Sequence, residues 1–558
     1  MNNKIIANDN PMITTMDVSA VTITKKDKMG TSGTRLKAPE FNRPGFHPRM
    51  NQAICDHWHG LSVEQQGNKV VIVGGDPRNG NPKRIQEAAL IAAANGFKPI
   101  VPKDNGLAPT PAISAAIMTY KAMGGIIETA SHNPAEDVGI KTNLSYSRGA
   151  GPALEEVTED IFVKLQDVKD TKILNMTYSE AVEKGLIQEV DMVKVYVDFM
   201  KKIFDTEIIK QGFKGKPFQL LLDPMHGASG PYAKALCAEF GIKLDMINAE
   251  PLPFFGPENE HRHPEPEPRY LEELIGKSSA YNLSGGYDGD GDRNLHYEGK
   301  RNITAGDLAA LMAEHYGILP IKEQIFKGGQ VVMGRSIVST SQPDLAIERL
   351  QREGQDIKMV ATPTGFKFIA ELGNFGFEES NGHGNPWHGE KDGMFATMFQ
   401  LYLMAKTQKT LDQLLQEIYK KDGRAYFTRG GITCPKDATT QRIMGIINNP
   451  PKEIAGFKVL DARIFNYKSP VTGLETKNAA YMFKLESPTG DILTLSMRFS
   501  GTGTGDPLLR TYVDCVKKGE DQISARLDKA LDYVRPVANE IVGKVVEFPE
   551  LDFYAKEG

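Results

Sequence analysis

The chain has 558 residues, 40% of them hydrophobic and 25% charged, with 66 basic side chains against 71 acidic ones and a formal net charge of −5. That length exceeds what one hydrophobic core serves, so three or four domains are expected. The charge balance supplies no whole-chain field toward nucleic acid or an anionic membrane, so any affinity for a phosphorylated ligand must be local. The cysteines Cys55, Cys237, Cys434 and Cys515 show no CxxC spacing, which suggests neither zinc nor a disulfide framework and leaves reduced, buried thiols. Residues 1–28 lack an apolar signal region, and no run approaches the length that spans a bilayer. A cytoplasmic enzyme is the default reading.

In chain order, a polar arm, expected to be partly disordered, precedes Gly30, Thr31, Ser32, Gly33, Thr34 and Arg35. Their backbone N–H groups, hydroxyls and guanidinium can face an anion. His57 and His59 form a His-x-His spacing without further ligands and read as surface histidines. Apolar strands over 70–73 and 99–101 alternate with helical spacing over 85–95 and 112–123, and a Gly-rich apolar strand over 124–127 delivers Thr129, Ala130, Ser131, His132, Asn133 and Pro134. The rhythm returns with strands at 218–222 and 242–247 and helices at 232–240 and 269–275, ending at Asp288, Gly289, Asp290, Gly291, Asp292 and Arg293. A third copy has strands at 331–333 and 357–361, helices at 345–351 and 366–372, and a last loop with Glu378, Glu379 and Ser380. A long apolar helix over 394–404 follows Lys391, Asp392 and Gly393. From about residue 428 the pattern changes to alternating strands, 481–485 and 493–498, before Arg498, Phe499, Ser500, Gly501, Thr502, Gly503, Thr504 and Gly505, with Arg510 beyond.

The expected fold is α/β: three similar α/β domains with mixed, largely parallel sheets and a C-terminal α+β domain, forming one central cleft. The divisions fall at 1–205, 206–307, 308–426 and 427–558.

Asp288, Asp290 and Asp292 alternate with glycine, so an extended backbone aims three carboxylates to one side and can curl around a cation. Such oxygens suit a hard divalent ion, Mg²⁺ where a phosphate completes the shell. An EF-hand is excluded, because Arg293 and Gly299 stand where that loop requires glycine and glutamate. With the metal opposite Ser131 the chemistry is phosphoryl transfer, and Arg293 can hold a further phosphate oxygen. The rival, a Ser-His-Asp hydrolase, is disfavoured: neighbours on an extended strand point in opposite directions, which misplaces His132, and no GxSxG elbow is present. The 498–505 loop with Arg510 suits a non-transferring phosphate, and no Walker A lysine follows it. Glu378 and Ser380 can bond sugar hydroxyls, and Lys391 is a proton donor or acceptor if its surroundings lower its pKa.

Together, Gly30 to Arg35, Thr129 to Pro134 with Gly139 to Lys141, Asp288 to Arg293, Thr364 and Gly365, Glu378 to Ser380, Lys391 to Gly393 and Arg498 to Arg510 resemble the α-D-phosphohexomutase superfamily in order and across nearly the whole chain. The resemblance implies a four-domain enzyme interconverting glucose 1-phosphate and glucose 6-phosphate through phosphoserine 131 and glucose 1,6-bisphosphate. It implies Asp288, Asp290 and Asp292 with Ser131 as Mg²⁺ ligands. Ser131, His132, Lys141, Lys391 and Arg35 take catalytic positions. Thr31, Ser32, Arg293, Thr364, Gly365, Glu378, Ser380, Arg498, Ser500, Gly501, Thr502 and Arg510 are the implied substrate contacts. The implied partner is a phosphosugar, with no nucleic acid or membrane, and a monomer is expected, with a dimer as the alternative. Three departures stand out: Thr34 replaces a usual apolar residue, His383 lies one position later than in the mannose-type motif, and residues 504–507 differ from the usual small-residue run. The alternatives are a mutase for mannose or pentose phosphates, a glucose 1,6-bisphosphate synthase, and, from another class, a silent structural relative. Retention of Ser131, the aspartates, Lys391 and the arginines argues against the last.

Overall fold

The computed structural model describes residues 5–7, 12–30, 33–146, 149–319, 329–372, 375–499, 507–517 and 527–548. Three of its sheets share one plan. In the first, Gln188–Val190, Lys98–Pro102, Val70–Gly75 and Gly124–Glu128 lie parallel, and the chain then returns as the antiparallel strand Asp137–Tyr146. In the second, Leu244–Met246, Leu220–Asp223 and Leu283–Tyr287 are parallel and Asn294–Glu298 returns. In the third, Ile357–Thr362, Val331–Ser336 and Phe375–Glu378 are parallel and Gly382–His383 returns. In each, the polar loop singled out in the sequence joins the last parallel strand to its antiparallel return. Carboxyl ends of parallel strands are where open α/β sheets bind ligands, so one topology presents three reactive loops in equivalent places.

Side chains of all three units merge into one core, with Ile72 and Ile113 from the first, Leu222 and Tyr232 from the second, and Met333 and Phe375 from the third. The helix Gly393–Thr407 runs through it, with Phe395, Phe399, Leu401, Tyr402 and Leu403 fully buried. A helix wrapped on every side must be apolar all round. The C-terminal sheet is antiparallel, in the order Arg424–Thr433, Leu508–Lys517, Ile492–Phe499, Glu475–Glu486, Phe457–Lys468 and Glu453–Ile454. It has its own core of Phe483, Leu495, Met497, Val513 and Ile541. Its links to the rest include a small apolar patch of Ile337, Val338, Met482 and Tyr512, the Asp514 carboxylate accepting from Thr340 Oγ1 at 2.7 Å, and an Arg429–Glu267 ion pair.

The expected architecture is met, with local corrections. Within the polar arm a strand that was not expected, Ile13–Asp17, rich in β-branched residues, pairs antiparallel with Ile5–Ala7 and Asp170–Leu174, while residues 1–4 and 8–11 lie outside the described residues. His57 is not at the surface: the helix Phe46–His59 is covered on both sides, and His57 Nδ1 lies 2.6 Å from Asp160 Oδ2. The helix expected over 269–275 is split by Leu271 into a 3₁₀ turn, Pro268–Tyr270, and a helix, Glu272–Ser278. All four cysteines are buried and free. No helix among the described residues is long and apolar enough to cross a membrane.

His47, on the same helix, lies beneath the strand that delivers Ser131. Its Nδ1 is 2.5 Å from Glu87 Oε2 and its Nε2 is 2.9 Å from Glu128 Oε1. Burial alone would lower the imidazole's pKa, but Glu128 and Glu87 overcome it and raise it from 6.5 to about 9. A raised folded-state pKa stabilises fully below about pH 6.5 and is lost as pH rises through about 9. The effect is about 3 kcal/mol. Thermal unfolding should therefore occur at lower temperature as pH rises across this window, and the slope should flatten in His47→Gln. An equal slope in both proteins would remove His47 from the balance.

Candidate active site

The Gly124–Glu128 strand ends in Thr129, Ala130 and Ser131, and Ser131 is buried with a left-handed backbone, φ +52°. Its hydroxyl donates to Asp288 Oδ2 at 2.9 Å, across the boundary between the first two units. The left-handed turn also overturns the extended-strand argument made for His132. That ring folds back, and Nδ1 lies 3.3 Å from Ser131 Oγ, with Nε2 3.8 Å from Glu265 Oε1. A hydrolase triad still does not form, because the shorter contact of the hydroxyl is to Asp288. Burial, followed by Arg293, Arg35, Lys391 and His263, also holds His132 well below the usual histidine pKa, which weakens it as a base.

The aspartate loop closes around this hydroxyl. Gly291 has φ +73°, and a Cβ there would meet Ser229 Oγ at 2.2 Å, so only glycine fits. Asp288 Oδ1 accepts from the Arg293 backbone N–H at 3.0 Å. Asp290 Oδ2 accepts from Thr110 Oγ1 at 2.7 Å and pairs with Lys141 Nζ at 2.8 Å. Asp292 Oδ2 lies 3.1 Å from Lys391 Nζ and 3.5 Å from Lys141 Nζ. One oxygen of each carboxylate lies within 4.8 Å of the others. Burial and repulsion from Asp290 and Asp292 push Asp288 well above the usual carboxylate range, whereas Lys141 pulls Asp290 below it against the effect of burial. The same two aspartates hold the buried Lys141 above the usual lysine range.

The donor set fits a hard divalent cation: three buried carboxylates converge, and Asp290 Oδ1 and Asp292 Oδ1 are buried without a hydrogen-bond partner among the described residues. Thr364 Oγ1, Arg293 Nε and Arg498 Nε are buried in the same unsatisfied state. Buried polar groups of this kind are usually paired, and at the aspartate loop, where three carboxylates converge, a bound cation would supply the partner.

The remaining sequence-derived positions fall in three groups. Arg35 Nη1 donates to Asn133 Oδ1 at 2.8 Å, which places it on the serine loop. Burial and Arg293 lower its pKa to about 10. Glu378 is buried, and burial raises its pKa; its Oε1 accepts from the Gly365 N–H at 3.2 Å, joining the Thr364 turn to the Glu378–Ser380 loop. Ser380 is half-buried in the turn before Gly382–His383. His383 bonds Asn294 Oδ1 at 3.2 Å and the Ala305 carbonyl at 3.0 Å, and burial lowers its pKa to about 4, consistent with a packing role. Arg498 and Arg510 are cross-strand partners in the C-terminal sheet. Among the described residues, neither is bonded to the serine–aspartate cluster. Thr31, Ser32, Ser500, Gly501 and Thr502 lie outside the described residues.

Sequence reasoning missed Thr110, Glu265 and Glu390. Glu265 receives Arg293 Nη1 at 3.3 Å, and with Asp292 and Asp288 it raises that guanidinium's pKa although burial opposes this. Glu390 is buried, accepts from Asn143 Nδ2 at 2.9 Å and has its pKa raised by burial. The adjacency of Glu390 to Lys391 was the only hint available. Thr110 and Glu265 lie far in sequence from the loops they support.

Comparison with known proteins agrees with this geometry. The family description phosphoglucomutase/phosphomannomutase matches in three parts: alpha/beta/alpha domain I at residues 26–172, domain II at 194–300 and domain III at 313–421. The phosphoglucomutase of Schizosaccharomyces pombe is 32% identical over 92% of this chain and 95% of its own. Phosphoglucomutase 2 of Saccharomyces cerevisiae is 31% identical over 94% of this chain and 95% of its own. Among solved structures, the Paramecium exocytosis-sensitive phosphoprotein parafusin, described as a phosphoglucomutase, superposes with a TM-score of 0.80 at 25% identity, covering 96% of this chain and 99% of that one. Three reactive loops on one repeated α/β plan define a phosphohexomutase-type enzyme. The chain belongs to the α-D-phosphohexomutase superfamily, in its phosphoglucomutase branch.

Proposed function

We propose that this chain interconverts glucose 1-phosphate and glucose 6-phosphate, with Ser131 as phosphoryl carrier and glucose 1,6-bisphosphate as the intermediate. The observation that supports this most directly is the Ser131 hydroxyl 2.9 Å from Asp288, inside a cluster of three carboxylates. Asp288, Asp290 and Asp292 would hold Mg²⁺, which when bound neutralises charge on the transferring phosphoryl group. Lys141 and Lys391 keep the aspartates aligned, and Lys391, 3.1 Å from Asp292, can move a proton to or from the reacting sugar oxygen. His132 lies 3.3 Å from the serine oxygen and Arg35 holds the same loop through Asn133, and Arg293 Nε is left to bind a phosphate oxygen. Glu378 and Ser380 orient the sugar through its hydroxyls, with Thr364 and Gly365 behind them. Arg498 and Arg510, with Ser500, Gly501 and Thr502, take the non-transferring phosphate, and Thr31 and Ser32 are assigned to substrate binding with Arg35.

In this reading the four units are 1–205, 206–307, 308–426 and 427–558, each contributing one loop, and the enzyme is a cytoplasmic monomer. The test is intact mass and peptide mapping after incubation with glucose 1,6-bisphosphate, together with turnover of glucose, mannose and ribose 1-phosphates. One added phosphoryl group at Ser131 and the largest kcat/KM on the glucose ester are expected. No phosphoryl group at Ser131 would refute the carrier role, and a preference for mannose or ribose would reassign the substrate.

A further inference from the structure

Arg78 is a fully buried guanidinium whose partners almost all belong to the loop that carries Ser131. Its Nη2 donates to the Ser131 carbonyl at 2.6 Å and the Asn133 carbonyl at 2.7 Å. Its Nη1 donates to the Pro134 carbonyl at 2.7 Å and the Asp137 carbonyl at 2.9 Å, and its Nε donates to Asp76 Oδ2 at 3.1 Å. Five N–H groups are all a guanidinium has, and its planar fork fixes their directions. Phe255 covers the group, with Cζ 4.7 Å from the ring centroid.

A second arm reaches the other side of the same residue. Asp76 Oδ2 accepts from Thr129 Oγ1 at 2.6 Å, and Thr129 Oγ1 accepts from the Ser131 N–H at 2.7 Å. The Asp76 carboxylate is itself fixed by Asn81 Nδ2 at 2.8 Å. Both polar groups of the Ser131 backbone are therefore held: the N–H through Thr129 and the carbonyl by Arg78. Ser131 needs this, because a non-glycine residue at φ +52° is held there by its surroundings and not by its own preference. Relaxation of φ to negative values would rotate Cβ and carry Oγ away from Asp288.

We infer that Arg78, with Asp76 and Thr129, is the positioning device that fixes Ser131 in its left-handed turn, so that Oγ returns to one point beside Asp288 before and after each phosphoryl transfer. The inference rests on the reading of Ser131 as phosphoryl carrier. These side chains bond the loop and not the substrate, so they act through Ser131. A displacement of about 1 Å at a reacting atom costs about 100-fold in rate, and that is the size of effect expected.

The experiment compares full-length Thr129→Val, Thr129→Ser and Arg78→Lys with the parent protein in kcat, KM for glucose 1-phosphate, thermal midpoint and phosphorylation at Ser131. Thr129→Val keeps the shape and removes the acceptor. It should lower kcat about 100-fold while KM stays within about twofold and folding is retained, and Thr129→Ser should restore most of the loss. Arg78→Lys keeps the charge but cannot span four carbonyls, and it should lower kcat in the same way. If Arg78→Lys does not fold, the Thr129 pair decides. Folded Thr129→Val with kcat near the parent value, or Thr129→Ser as impaired as Thr129→Val, would overturn the inference. A parent protein that takes no phosphoryl group at Ser131 would overturn the carrier reading itself, so the two failures are distinguishable.

Discussion

Replacing Ser131 with alanine should lower turnover of glucose 1-phosphate by roughly 10⁴-fold or more, because removal of a nucleophile that forms a covalent intermediate leaves only binding and electrostatic stabilisation. Folding should be retained. The side chain is small, and its deletion removes the 2.9 Å hydrogen bond to Asp288 and the longer 3.3 Å contact with His132 Nδ1, each with a net value of about 1 kcal/mol or less. The held backbone is untouched, since the Thr129 and Arg78 bonds go to the peptide groups of residue 131 and not to its hydroxyl. The measurement pairs steady-state kinetics in the presence of glucose 1,6-bisphosphate with intact mass. Loss of both turnover and the added phosphoryl group, with an unchanged thermal midpoint, is the expected pattern. Activity within tenfold of the parent would place the phosphoryl group elsewhere.

What the sequence disclosed and what it hid divide along a physical line. The serine loop was legible because it ends an apolar run, 124–127, and the aspartate and glutamate loops because their own residue types stand out. The strands that deliver those two, Leu283–Tyr287 and Phe375–Glu378, were not read, being short and interrupted by glycine. The helix Gly393–Thr407 was legible from its own apolar run, although its position between three units was not. The antiparallel return strands were harder to see, since Asn294–Glu298 and Gly382–His383 are short and polar and lie beside the loops they close. Residues whose role is to hold another residue were invisible. Arg78 and Asp76 carry no signal in the sequence, and only the fold brings their partners to them from residues 129–137. His132 shows the opposite error: its neighbour's backbone sign, φ +52°, cannot be read from a serine, and the extended geometry assumed for the pair placed the imidazole on the wrong side.

The second large effect should come from the aspartate cluster. Asp290→Asn keeps the size of the side chain and the Thr110 bond but removes one negative charge from the place where Asp290 Oδ1 now lies without a partner. A cation's contribution to a phosphoryl-transfer barrier is several kcal/mol, so kcat should fall roughly 10³-fold, and the Mg²⁺ concentration giving half-maximal activity should rise. Chelation of the parent enzyme should abolish turnover, and restoring Mg²⁺ should recover it. The electrostatics also give a prediction about stability with the opposite sign. Asp288 lies above the usual carboxylate range because burial and two neighbouring carboxylates oppose its charge. The charged form of Asp288 therefore works against folding when no cation is present. Asp288→Asn should raise the thermal midpoint of the chelated protein while removing the further rise that Mg²⁺ gives the parent, since only the folded parent binds the ion. If Mg²⁺ leaves the parent's thermal midpoint unchanged at concentrations that restore turnover, or if Asp288→Asn lowers the midpoint of the chelated protein, then the three carboxylates are not held in mutual opposition awaiting a cation, and the lysines alone balance the cluster.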